Sequence, residues 1–248
     1  MDRSDPRYHA YVQILKEELI PAMGCTEPIA LAYAGAVARR TLGELPDRVT
    51  VQASGSIIKN VKSVIVPNTD HLKGIDAAVS AGIVAGDPDK KLEVIASVTP
   101  EQIQAMKQFM DEVPIEIEHI DKGCTFDIVV IVHHKDEYAK VRIANYHTNI
   151  VLIEKNGEIL EQAKVSGDSE DGLTDRNLLD MEHIWDFAMT VEIDEVKALL
   201  DQQISCNMTI ADEGLKNDYG ANIGKVLLAM DGDNVRVKAK AMAAAGSD

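Results

Sequence analysis

The first sixty residues show hydrophobic spacings typical of helices, followed by an alternating stretch. Apolar residues three and four positions apart between Tyr8 and Leu19 predict an amphipathic helix that stops at Pro21. The apolar run 29–38 predicts a second helix, capped by Thr26 and ending near Gly43. Because this run is apolar on every side, we expect the second helix to lie at the centre of the fold.

The middle of the chain combines both periodicities. Residues 48–54 predict a strand, 75–85 a helix of small residues, and Thr99 the start of a helix that reaches about residue 110. From 113 to 162 the pattern changes to strands, and Asn156-Gly157 is typical of a hairpin turn. We therefore expect an antiparallel sheet in this part of the chain.

The C-terminal third reads as helices that follow an acidic loop. Turn-forming and acidic residues are dense from Ser166 onward, which predicts a boundary or an exposed loop. Helical patterns then cover 177–188, 194–216, 221–230 and 234–245. The sequence predicts a mixed α/β domain over residues 1–165 and an all-helical region over residues 166–248.

Composition narrows the classes of function. Lys and Arg total 25 against 41 Asp and Glu, a net charge of −16 that repels phosphate backbones and anionic lipids. This disfavours binding to nucleic acid or to a membrane surface. The first residues lack the apolar segment of a signal peptide, and the longest apolar run is too short to cross a bilayer. Three widely spaced cysteines fit a reducing compartment, so we expect a cytoplasmic protein without disulfides.

Cys25 is the strongest candidate for chemistry. It directly precedes the expected helix start, where unpaired amides and the helix dipole favour a thiolate. A thiolate can ligate a metal or attack carbon. The alternative is a small buried side chain in a tight loop, which is the more common role of a cysteine in such a protein.

The segment around Cys25 closely resembles a known family. Residues 20–32, Ile-Pro-Ala-Met-Gly-Cys-Thr-Glu-Pro-Ile-Ala-Leu-Ala, are similar to the N-terminal signature of the iron-sulfur L-cysteine desulfidases, which are related to the iron-sulfur L-serine dehydratases. Further similar segments are 54–61, 147–151, 214–220 and 243–248. Members of that family are longer, so this chain resembles their N-terminal part.

The resemblance implies a lyase that eliminates sulfide from L-cysteine and yields pyruvate and ammonia. It implies a [4Fe-4S] cluster as Lewis acid, with Cys25 as one metal ligand and the remaining ligands outside this chain. We do not assign a ligand role to Cys124 or Cys206. The implied partner is a small amino-acid substrate, L-cysteine or L-serine.

Other candidate site residues lie in the similar segments. His147 and Lys59 are the candidate catalytic residues, and Ser54, Gly55 and Asn60 are candidates for substrate binding. Near a strand entrance, a histidine can act as a base, although a structural histidine is common there. A lysine that follows a small-residue turn can attract a carboxylate, although a solvated surface lysine is the ordinary interpretation.

Three other functions stay open. Cys25 could be a nucleophile with His147 as its base, but no third, orienting group is evident. The chain could be a ligand-binding or assembly domain with an inert cysteine. A pyridoxal-phosphate lyase, with Lys59 forming the Schiff base, has only faint support. The small-residue helices are also compatible with a homodimer.

Overall fold

A computed structural model describes residues 1–22, 24–163, 165 and 174–247. The chain forms two compact units. The α/β unit is Ala22–Ser169, and the helical unit combines Met1–Pro21 with Glu170–Asp248. The acidic loop predicted to begin at Ser166 lies outside the described residues as far as 173.

One mixed sheet of six strands forms the frame of the α/β unit, in the order β2-β1-β3-β4-β5-β6. The strands are β1 Arg48–Ala53, β2 Ile115–His119, β3 Asp127–His134, β4 Glu137–Ala144, β5 Ile150–Lys155 and β6 Glu158–Gln162. All neighbours are antiparallel except β1 and β2, which are parallel. The predicted fold class, α/β with an antiparallel sheet segment and a helical C-terminal region, is confirmed.

The α-helices among the described residues of this unit are α2 Thr26–Leu42, α3 Gly55–Val61, α4 Gly74–Ala85 and α5 Pro100–Glu112, and a 3-10 helix covers Pro88–Glu93. As expected, α2 is buried on nearly all sides and ends at Gly43, whose φ of 94° suits glycine. The predicted cap is displaced by one residue, because the N-cap is Cys25 and Thr26 is the first helical residue. Residues 55–61, where only a small-residue turn before Lys59 was expected, form α3.

Small side chains let α2 and α4 approach each other closely. A Cβ on Gly82 would lie 1.8 Å from the Ala32 carbonyl oxygen, a distance that no real contact allows. Alternate residues of β1, β3 and β4 point to the same side of the sheet and join the same core, for example Ile128, Val130 and Val132 of β3. This packing holds the start of α2 firmly against one end of the sheet.

The helical unit contains α1 Pro6–Glu18, α6 Met181–Thr190, α7 Ile193–Lys216, α8 Ile223–Asp231 and α9 Arg236–Ser247. The boundaries predicted from the sequence, 1–165 and 166–248, place α1 in the α/β domain. In the structure, α1 groups with the helical unit instead. Tyr8 and Tyr11 of α1 are buried against Phe187 of α6 and Val196 of α7. Edge-to-face ring contacts at centroid distances of 5.5 and 5.4 Å join both tyrosines to Phe187. None of the described helices is long and apolar enough to span a membrane.

Candidate functional site

The candidate site lies at one end of the sheet in the α/β unit. There the end of β1 pairs with the start of β3, and the start of β3 pairs with the end of β4. The chain turns from β1 directly into α3, and the segment 145–149 links β4 to β5. Residues distant in sequence are therefore brought together at this end.

A carboxylate connects the cysteine to α3. The Cys25 thiol donates to Glu27 Oε2 at 3.1 Å, and Asn60 Nδ2 donates to Glu27 Oε1 at 3.2 Å. Cys25 is partly buried. Glu27 thus bridges the N-cap of α2 and the last turn of α3.

The surroundings of Glu27 keep it ionised. Burial alone would raise the pKa of this carboxyl. Hydrogen bonds from Cys25 and Asn60, together with the attraction of His147, outweigh burial and hold the pKa below its usual value. A carboxylate is therefore present beside the thiol at neutral pH.

His147 supplies the second titratable group. Its half-buried ring lies against Phe126, with centroids 4.5 Å apart. Burial lowers the pKa of His147, and the negative charge of Glu27 opposes that shift in part. The ring is therefore neutral at pH 7, with one nitrogen able to accept a proton.

The serines after β1 are occupied with local structure. Ser54 donates its hydroxyl to the Thr125 carbonyl at 2.7 Å, and Ser56 donates to the same oxygen. A Cβ on Gly55 would lie 3.1 Å from His119 Nε2, so the His119 ring closely approaches this glycine. These contacts fix the turn that places α3.

Arg142 and Asp127 support the same end of the sheet. The Asp127 side chain is fully buried and accepts two hydrogen bonds from Arg142, at 2.9 and 2.7 Å. The Asp127 carbonyl accepts the Ser54 amide at 2.9 Å. The ion pair therefore anchors the start of β3 beside the turn into α3.

The structure brings together Cys25, Asn60 and His147 around Glu27. Lys59 is exposed on α3, and its proposed role stays a prediction. The sequence analysis did not single out Glu27, which occupies an ordinary place for an acidic residue in the first turn of a helix. Its position two residues after Cys25 is the signal that could have indicated it.

The residues present fit one ligand of a cluster, not a full set. Cys124 lies in the loop before β3, and Cys206 is exposed on α7 in the helical unit. Within the described part of the chain, no group of three or more His, Cys, Asp or Glu side chains is arranged to hold a metal ion. Cys25 is thus a single potential thiolate ligand.

Comparison with known proteins gives relatives without a named activity. The chain is 54% identical over 251 residues to a UPF0597 protein of Desulfitobacterium hafniense (strain Y51), which covers 100% of this chain and 58% of that relative. UPF0597 proteins of Lachnoclostridium phytofermentans and Treponema denticola are 44% and 41% identical, over 97% and 100% of this chain. The chain spans 58% of the length of each. No family model and no solved structure matches the chain.

Proposed function

We propose that this chain forms part of an iron-sulfur-dependent lyase that eliminates sulfide from L-cysteine. One observation carries the proposal: a thiol, an ionised carboxylate, an amide and a neutral imidazole lie together at one end of the sheet. The resemblance of residues 20–32 to the L-cysteine desulfidase signature supplies the reaction.

His147 has the properties of the base in this proposal. A neutral imidazole removes the α-proton of L-cysteine, and the C–H electron pair forms the Cα–Cβ double bond. The Cβ–S bond breaks, and its electron pair leaves with sulfide. The resulting aminoacrylate tautomerises to an imine, which water hydrolyses to pyruvate and ammonia. No oxidant or reductant is consumed.

Glu27 and Asn60 prepare the site for that proton transfer. The ionised Glu27 stabilises the imidazolium that forms when His147 accepts a proton, because opposite charges attract more strongly in a partly buried site. Asn60 is exposed beside Glu27 and has an amide oxygen available to a substrate ammonium group.

Cys25 is the residue of this chain that we propose as a ligand of the iron-sulfur cluster. Loss of the proton that Cys25 shares with Glu27 gives a thiolate suited to iron. When bound, a [4Fe-4S] cluster would supply Lewis acidity toward the leaving sulfur. The further ligands are proposed to come from polypeptide that the relatives possess beyond the matched part.

The test is anaerobic reconstitution with iron and sulfide of this chain co-expressed with the unmatched region of a relative, followed by assays of bound iron and of sulfide and pyruvate release from L-cysteine. Cys25→Ser is compared with Cys206→Ser, which alters an exposed cysteine in the other unit. We expect iron binding to fall in Cys25→Ser and to be retained in Cys206→Ser. Equal iron content in the two variants would contradict the ligand role.

Two alternatives give different results in these assays. Pyruvate release from L-serine in excess of that from L-cysteine would indicate a serine dehydratase-like deaminase. Binding of L-cysteine without product, also after the chain is co-expressed with the unmatched region of a relative, would indicate a non-catalytic ligand-binding or assembly domain.

A further inference from the structure

Helices α6, α7 and α8 of the helical unit bury few of their residues. Among the described residues of α7, which is 24 residues long, only Val196, Ala211 and Gly214 are buried. Phe187 is the buried residue of α6, and Gly224 that of α8. A surface helix of a globular protein normally buries a stripe about 100° wide. These helices therefore bury less of their surface against neighbouring elements than such a helix normally does.

Large apolar side chains occupy that exposed surface. Trp185 on α6 is 70% exposed, and Val237 on α9 is 86% exposed. The exposed set also includes Met181, Met189, Ile193 and Met230. Single exposed apolar residues are ordinary, but Met and Trp are enriched in the centres of protein interfaces. These exposed side chains include residue types that are enriched at protein interfaces.

A groove between α7 and α9 includes Val237 of this exposed set. Its volume is about 670 Å³, and Met208, Ala211, Val237, Ala241 and Ala244 line it. Several of its lining residues are alanines, whose small side chains let the apolar ridge of another helix approach closely. Its lysine, Lys240, is paired with Asp212 at 2.9 Å. The other polar residue of the lining, Asn207, donates its side-chain amide to the Gln203 carbonyl at 2.9 Å, so both polar side chains of the lining already have partners within the helical unit.

We propose that this α7–α9 groove binds the polypeptide region that the curated relatives possess and this chain does not span. The matched part is 58% of the Desulfitobacterium hafniense relative, which leaves about 42% of that protein to be packed somewhere. Permanent interfaces between such large parts are extensive and apolar. A second copy of this chain fits less well, because each copy carries a net charge of −16.

Hydrogen exchange on intact proteins tests the proposal. Amide exchange in α7 and α9 of this chain is compared with exchange in the matched segments of the intact relative, each corrected for its own sequence. We expect exchange at least tenfold slower in the relative for α7 and α9, and unchanged exchange for the edge strand β6. Equal rates in α7 and α9 would overturn the proposal. Protection in this chain that rises with its own concentration would also overturn it, in favour of a second copy.

A matched pair of substitutions locates the contact. Ala241→Asp places a charge in the groove, and Ala105→Asp places the same charge on the exposed surface of α5 in the other unit. Each variant is co-expressed with the tagged unmatched region of the relative, and circular dichroism verifies its fold. We expect Ala241→Asp to reduce co-purification at least tenfold and Ala105→Asp to leave it unchanged. Val237→Asp serves if Ala241→Asp misfolds. Co-purification insensitive to the groove variant, or absent altogether, would overturn the proposal.

Discussion

Removing Arg142 should destabilise the end of the sheet that carries the candidate site. Asp127 is fully buried, and Arg142, itself 31% exposed at its side chain, donates to both of its carboxylate oxygens. In Arg142→Met, the backbone amide of Cys124, 3.4 Å from Asp127 Oδ2, still donates to the buried carboxylate. Breaking a buried ion pair costs about 3–5 kcal/mol. Because Arg142 is partly exposed, we expect its removal to lower the free energy of unfolding by about 3 kcal/mol, the lower end of that range.

Native-state hydrogen exchange of β3 and β4 measures this loss in the α/β unit separately from the helical unit. Lys140→Met is the matched control, since Lys140 lies two residues away on the same face of β4. We expect that control to change the opening free energy by about 0.5 kcal/mol or less. The double variant Asp127→Leu/Arg142→Met should be more stable than Arg142→Met, because it leaves no unpaired buried charge. A cost for Arg142→Met no greater than for Lys140→Met would refute the reasoning.

Three further results are expected. Gly82→Ala should lower the free energy of unfolding by about 1–3 kcal/mol or more, the cost of overpacking, because its Cβ would overlap the facing helix. Gly43→Ala has open space around it and should cost only about 1 kcal/mol, because its φ is positive. Equal costs in denaturant titrations would contradict this packing. Although burial opposes the shift, hydrogen bonds led by that from Arg176 lower the pKa of Glu17 from 4.5 to about 2. The stability that Glu17 contributes should therefore be present above pH 4.5 and lost as the pH falls toward 2, and Glu17→Gln should flatten that acid limb in thermal unfolding. The His147 ring should titrate below pH 6.5 by NMR, and a midpoint at or above 6.5 would count against a buried neutral base.

Local patterns predicted most helices and strands because their causes are local. The apolar run of α2, the small-residue run of α4 and the Asn156-Gly157 turn each determine their own conformation, and both turn residues have positive φ. The parallel pairing of β2 with β1 joins residues 66 positions apart, such as Val49 and Ile115, which periodicity does not encode. The grouping of α1 with the helical unit has the same origin, since Tyr8 and Phe187 meet only in the folded chain.

The site shows the same division between local and distant causes. Cys25 could be found from its position before a helix, and Asn60 and His147 from a resemblance. Glu27 already had a sufficient local explanation, because an acidic residue in the first turn of a helix is stabilised by the helix dipole. Its bond to Asn60 spans 33 positions and requires the turn that Ser54 and Ser56 hold on the Thr125 carbonyl. The Glu27 carboxylate accepts hydrogen bonds from the Cys25 thiol and from the Asn60 amide and so restrains both donors. Because Asn60 lies on α3, Glu27 helps to set the distance between Cys25 and α3.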